Sequence, residues 1–252
     1  MSHEPLIAVF VDFENLAIGV RQMKAGRFQI QLVLKRLLEK GRLVFKRAYC
    51  DWSNYREEVK EFHGQGIEMI DIPQSKASGK NSADIRMVVD AMDLCYAKSH
   101  IDIFALISGD SDFSPLVSKL KENNKRVLGC GVKISTSDLL ISNCDEFIYY
   151  DDLIRAASKK VSSVVRKDKT QDKKLEAVER VIEVLHSIEQ DYEPLWGSTL
   201  KQAIRRVYPG FNEGYYGYSS FSDLLQELKR RQLIELDYDD SRGNYKVRLF
   251  KA

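Results

Sequence analysis

The chain of 252 residues is longer than the commonest single domain, so it holds either one large domain or two unequal ones. With 44% hydrophobic and 30% charged residues it can fill a core and wet a surface, and no run approaches the ~20 apolar residues of a membrane span. The formal net charge of +2, from 21 basic and 22 acidic residues through Arg155 and 18 and 15 beyond it, excludes a global basic field, so any affinity for a polyanion has to come from local clusters. Cys50, Cys95, Cys130 and Cys144 are scattered, with no CxxC pair and no His at ligand spacing, which predicts buried thiols in a reducing compartment. The amino terminus MSHEPLIAVF carries no basic n-region, so a cytoplasmic location is expected.

In chain order, β-rich apolar runs at Leu6–Val11, Leu43–Tyr49, Ile67–Ile70, Ile103–Ile107, Val127–Gly131 and Phe147–Tyr150 predict strands. Helical patterns at Ile30–Glu39, Ser53–His63, Ser82–Lys98, Asp112–Glu122 and Ser137–Asn143 lie between them. Continuous apolar strands separated by helices predict an α/β unit over residues 1–155, with a mostly parallel sheet covered on both faces. Its ligands should gather at the carboxyl ends of the strands, near the switch point in strand order. Residues 156–173, rich in Lys, Ser and Asp, are expected to be a linker. Residues 174–252 then predict helices over Leu175–Ile188, from Ser198 or Thr199 to before Pro209, and from Phe221 to Arg231. Strands Leu233–Asp237 and Tyr245–Phe250 complete a small winged helix-turn-helix.

Acidic residues recur where such a sheet would gather a ligand. The first strand runs through Val11 into Asp12-Phe13-Glu14-Asn15, which sets Asp12 at the carboxyl edge. The fourth runs through Ile107 into Ser108-Gly109-Asp110-Ser111-Asp112, a Ser-Gly turn carrying two acids above the sheet. Asp84 opens the helix leading to strand four. Four carboxylates on three edges repel one another unless a cation compensates. Oxygen donors without His or Cys favour Mg²⁺ or Mn²⁺ over zinc, and such an ion suits phosphodiester chemistry. Asn15 and Ser108 could hold waters at the ion, and Lys80, with Lys76 in the Ser75–Asn81 segment, could meet a phosphate. Each acid also has an ordinary explanation. Asp12 suits a turn cap, Asp110 an N-cap, and Asp84 and Asp112 the first turn of a helix; it is their coincidence on one edge that favours the metal. Arg86, Asp90 and Asp93 share a helical face opposite Ile85, Val89 and Met92, which predicts a solvated ion-pair stripe.

In these segments the chain resembles the NYN family of PIN-like nucleases, which includes the LabA-like bacterial proteins. The resemblance rests on VFVDFENL (9–16), KNSADIRMVVDAM (80–92) and ISGDSDFSPLV (107–117), with weaker likeness in NNKRVLGCGV (123–132) and SDLLISNCDEFIYYDDL (137–153). It implies a PIN-like Rossmannoid sheet and a metal-dependent ribonuclease in which Asp12, Asp84, Asp110 and Asp112 carry the ions with Asn15 beside them. Asp90 matches a recurrent family acid, although its helical face predicts solvent. The acidic pattern is intact, which predicts an active copy, while some family members serve as scaffolds.

Beyond Trp196 the pattern is WGSTLKQAIRRVYPGF followed by GYYGYSSFSDLL. It resembles the LOTUS/OST-HTH domain, which implies RNA as a partner, together with an RNA helicase or other RNA-processing protein; a homodimer is left open. Lys201, Arg205 and Arg206 cluster on the second helix and are the expected RNA contacts. Lys229, Arg230 and Arg231 close the third helix, and Tyr215, Tyr216 and Tyr218 precede it. Basic groups beside exposed aromatics can pair with phosphate and stack on bases. The alternative gives Tyr218, Phe221 and Trp196 to the small core.

The leading expectation is an endoribonuclease that leaves 5′-phosphate and 3′-hydroxyl ends, joined to an RNA-binding module. A non-catalytic adaptor holding RNA or a helicase is the alternative. A HAD-like phosphatase is disfavoured, because Glu14 and Leu16 stand where that chemistry uses a second Asp and a following Ser or Thr. No GxGxxG follows the first strand, which removes a dinucleotide-binding enzyme.

Overall fold

A computed structural model describes residues 4–23, 26–73, 81–161, 169–208 and 211–250. The chain divides into two compact units, Met1–Leu37 with Arg42–Ser162, and Leu38–Gly41 with Ser163–Ala252.

The first unit is built on parallel strands β1 (Leu6–Asp12), β2 (Arg42–Cys50), β3 (Glu68–Asp71), β4 (Ile103–Ile107), β5 (Arg126–Gly131) and β6 (Glu146–Tyr149). Their order is β3-β2-β1-β4-β5-β6, so the switch point lies between β1 and β4. Side chains alternate across a strand, and β1 shows this directly. Ile7, Val9 and Val11 face one apolar cluster with α1 (Phe13–Gln22), α2 (Ile30–Lys40) and α3 (Arg56–Gly64). Ala8 and Phe10 face the other with α4 (Ser82–Ala97), α5 (Ser114–Glu122) and α6 (Asp138–Asn143). Asp12 shares the parity of Ala8 and Phe10, which directs it to the α4 side. α7 (Tyr150–Val161) follows β6 and gives Tyr150 to the first cluster.

All the expected strands form, with ends shifted by a residue or two. α1 was not anticipated. Its buried Phe13, Leu16, Ala17 and Val20 have helical spacing, but they start at the last residue of a strand, and Asp12 serves as both strand end and helix cap. The helix expected over Ser53–His63 divides into a 3₁₀ turn, Trp52–Asn54, and α3, because Tyr55 between them takes the non-helical φ of −133°. The helix expected from Asp112 likewise opens as a 3₁₀ turn, Ser111–Phe113, before α5 with Pro115 in its first turn. α7 runs to Val161 and the next helix begins at Lys169, so both ends of the expected linker are helical; its middle, 162–168, lies outside the described residues.

In the second unit α8 (Lys169–Ile188), α9 (Gly197–Val207) and α10 (Phe221–Arg230) surround one apolar core, and β7 (Ile234–Asp239) pairs antiparallel with β8 (Asn244–Leu249) as the wing. A bridge from Trp196 to Lys246 adds a stub to the hairpin. α9 starts at Gly197, with Trp196 at the cap position, so Ser198 and Thr199 are first-turn residues and not caps. Pro209 lies outside the described residues. Tyr218 and Phe221 are buried, as the packing alternative expects, and Trp196 is half-buried; Tyr216 is buried too, so only Tyr215 of the three tyrosines is exposed.

Candidate active site

The carboxyl ends of β1 and β4 lie side by side, with Val11 opposite Ile107, so the next residues on each strand, Asp12 and Ser108, stand together at the switch point. Asp12 is 6% exposed. Its Oδ2 accepts the Ser108 hydroxyl at 2.7 Å and its Oδ1 accepts the Asn15 backbone N–H at 3.3 Å. Ser108 Oγ in turn accepts the Asp110 N–H at 3.1 Å, and Asp110 Oδ1 accepts the Asp112 N–H at 2.9 Å, which shapes the turn after β4. Asn15 Oδ1 accepts the Gly109 N–H at 2.9 Å, tying that turn to α1 and leaving the Asn15 amide nitrogen as a donor.

Electrostatics join Asp84 to this group. Burial pushes the Asp12 carboxyl up to about 7; the Ser108 hydroxyl and the Asn15 N–H oppose this, and repulsion from Asp84 and Asp110 adds to it. Asp84 is raised to about 6, first by burial and then by the charges of Asp110, Asp112 and Glu14. Asp84 and Asp110 thus lie in electrostatic range of Asp12, and Asp110 and Asp112 in range of Asp84. Glu14 is a further member that sequence reasoning missed, although it sits two residues past Asp12. No ion pair to any of the four aspartates occurs among the described residues. Lys80 and Lys76, expected near phosphate, lie outside the described residues.

The donor set is hard oxygen with excess negative charge, which suits Mg²⁺ or Mn²⁺. Ligand spacing is a separate matter. Among the described residues no three His, Cys, Asp or Glu side chains stand close enough to hold one ion in this arrangement. The fit is therefore one of charge and chemistry and not of ligand spacing. A groove of about 420 Å³ adjoins the site, lined by Asp112 with Ser111, Ser114, Pro115, Ser118 and Leu139.

The NYN domain model matches residues 6–153, more than half of the sequence. The chain belongs to the NYN family. The OST-HTH/LOTUS domain model matches residues 173–244. An uncharacterized protein of Methanocaldococcus jannaschii is 28% identical to this NYN chain over 145 residues, 58% of the chain and 55% of that protein. The chain thus spans about half the length of that curated relative. A crystal structure of a protein of unknown function from Vibrio parahaemolyticus is similar at 28% identity and a TM-score of 0.54, over 61% of this chain and 97% of that one.

Elsewhere in the NYN unit, Asp90 corrects the expectation of a solvated stripe. It is 9% exposed and bonded to Arg47, Tyr49 and Arg86, while Ile85 and Val89 on the supposedly inward face are 64% and 48% exposed. The helix turns Met87, Ala91 and Cys95 to the sheet, and Asp90 goes with them because buried donors await it. Among the cysteines, Cys50, Cys95 and Cys130 are buried and Cys144 half-buried, all as free thiols; burial pushes Cys130 up to about 12.

In the OST-HTH unit Lys201 bonds Glu213, and Arg205 approaches the same carboxylate at 4.0 Å, so an acid partly offsets two of the three expected RNA contacts. Arg206 lies half-buried on α9. Two other basic–aromatic pairs escaped sequence reasoning. Lys173 stands 4.5 Å over the exposed Tyr215 ring, and Arg242 of the wing turn stands 5.0 Å over Trp196. No helix among the described residues is long and apolar enough to cross a membrane.

Proposed function

We propose that the protein is a divalent-metal-dependent endoribonuclease, in which the NYN unit cuts phosphodiesters and the OST-HTH unit holds the RNA. The observation that carries this is the gathering of Asp12, Asp84 and Asp110 at the switch point, where Asp84 and Asp110 raise the proton affinity of Asp12, Asp110 raises that of Asp84, and no described basic side chain offsets them. Mg²⁺ or Mn²⁺ bound there would neutralise charge on the phosphodiester and lower the pKa of a water. Asp12 would hold the cation from the end of β1, with Ser108 fixing its carboxylate plane, and Asp84, Asp110 and Asp112 would complete the set. Burial raises the Asp12 carboxyl to about 7, so a cation held there at neutral pH would be expected to displace a proton from it. The Asn15 amide nitrogen would donate to an oxygen of water or phosphate beside it, since its Oδ1 is taken by the Gly109 N–H.

The test is cleavage of end-labelled single-stranded RNA by the purified chain with Mn²⁺ or Mg²⁺. Products should carry 5′-phosphate and 3′-hydroxyl ends, and Asp110→Asn should lose cutting with its melting temperature preserved. Equal cutting by that variant would assign the activity to a contaminant and overturn the proposal. The spacing of the acids favours a second reading, an RNA-binding adaptor without turnover. It expects RNA affinity that is indifferent to metal and to Asp110→Asn.

A further inference from the structure

We infer that Asp90 is a positioning residue that seats α4 so that Asp84 stands within the acid cluster, and that it is not itself a cation ligand. This rests on the nuclease proposal. Asp90 Oδ2 accepts both Arg47 Nη1 and the Tyr49 hydroxyl at 2.9 Å, and Oδ1 accepts Arg86 Nε at 2.9 Å. Arg47 also bonds Glu68 of β3 at 2.8 Å. Three charged or hydroxyl donors on two buried oxygens leave little lone-pair capacity for a cation. Asp90 also lies six residues beyond Asp84, about 9 Å along the helix at 1.5 Å per residue and roughly 120° around it at 3.6 residues per turn, so the two side chains leave the helix in different directions.

Its partners lead back to the site. Tyr49 pairs directly with Asp12 in the register of β1 and β2. Asp90 therefore ties α4 to the strand beside Asp12, on the sheet face that Asp12 also uses. Asp12 and Asp110 have hydrogen bonds that orient their carboxylates. Asp84 has none among the described residues, and Asn81 at the helix cap makes no side-chain cap bond. The position of Asp84 thus depends on how α4 is seated. Met87, Ala91 and Cys95 supply apolar attachment, but apolar burial is non-directional and tolerates sliding and rotation. A buried carboxylate with directional donors removes that freedom, a specificity role that buried polar groups play in some systems.

The experiment measures Mn²⁺ binding to the full chain by electron paramagnetic resonance, with cleavage rates across Mn²⁺ concentrations, for wild type, Asp90→Asn, Asp84→Asn and the double variant. Asp90→Asn should bind Mn²⁺ about 10-fold more weakly, the lower end of the effect of losing a group that orients a ligand. It should need correspondingly more Mn²⁺ for half-maximal cleavage. The double variant should bind no more weakly than Asp84→Asn alone, because the two act through one carboxylate. Tyr49→Phe keeps both ion pairs and removes one bond, so it should move affinity in the same direction, by less, even where Asp90→Asn fails to fold. Wild-type affinity in both Asp90→Asn and Tyr49→Phe, or losses that multiply in the double variant, would overturn the positioning role alone. A wild type that neither binds Mn²⁺ nor cleaves would overturn the nuclease proposal and this role with it.

Discussion

Asp12 is held in an environment that suits a proton or a cation and penalises bare charge. An ordinary Asp titrates at 3.8, whereas burial and neighbouring acids bring Asp12 to about 7. The folded state therefore binds the proton more tightly than the unfolded chain. The stability this group contributes is full below about pH 4 and is lost as pH rises through about 7. Asp12→Asn removes the charge and keeps the shape. In EDTA its urea midpoint should equal that of wild type near pH 4 and exceed it at pH 8. The matching difference in unfolding free energy should reach at most roughly 4 kcal/mol, since a tenfold change in proton affinity is worth ~1.4 kcal/mol. The same substitution should abolish cleavage, the usual cost of stabilising a functional site. If the wild-type midpoint, relative to the variant, does not fall between pH 4 and pH 8, Asp12 is already ionised in the folded protein.

At the scale of elements, the turn after β4 is fixed by close backbone approach. A Cβ on Gly109 would meet the Ser135 carbonyl oxygen at 2.5 Å and the Thr136 Cα at 2.9 Å, while Ser137 N–H already donates to the Gly109 carbonyl at 2.9 Å. Backbone cannot swing aside as a side chain can, so Gly109→Ala has to displace either the 133–136 segment or the turn bearing Asp110. It should cost about 1–3 kcal/mol and slow cleavage. Gly64→Ala, at the end of α3 with nothing near its Cβ position, should leave both unchanged or stabilise slightly. Equal effects of the two in a thermal melt would show that the turn has room to give. The strands were legible in the sequence because each is a continuous apolar run, and the motifs after β1 and β4 placed three of the acids at the edge. The orientation of α4 was not. Its sequence offers two apolar stripes, Ile85, Val89 and Met92 against Met87, Ala91 and Cys95, and counting cannot choose between them. The smaller stripe faces the sheet because Ala91 and Cys95 allow close approach, and the donors that bury Asp90 come from β2, some forty residues earlier.

The whole molecule joins two units that each bury a core of their own, one carrying the acid cluster and the other the Lys173–Tyr215 and Arg242–Trp196 pairs. The net charge of +2 does not reveal these separate clusters, and neither does the clustering of Lys201 and Arg205, which the structure gives to Glu213. Glu213 lies in a loop whose course the helical pattern does not fix, so the pairing was not readable from sequence. Lys173 and Arg242, each exposed and each set over an aromatic ring, are better placed to pair with phosphate while a base stacks beside them. If the second unit supplies affinity and the first supplies chemistry, the two properties should separate by mutation. In the full chain, Lys173→Ala with Arg242→Ala should weaken RNA binding and flatten the plot of log affinity against log salt. Losing two phosphate contacts on a single strand changes that slope by about 1.4. The rate at saturating RNA should stay at the wild-type value, because neither residue lies near Asp12, Asp84 or Asp110 in the sequence or belongs to their unit. An unchanged slope would place the RNA on another surface of the second unit. A fall in the saturated rate would mean that the second unit does more than hold the strand, and the assignment of binding and cutting to separate units would fail.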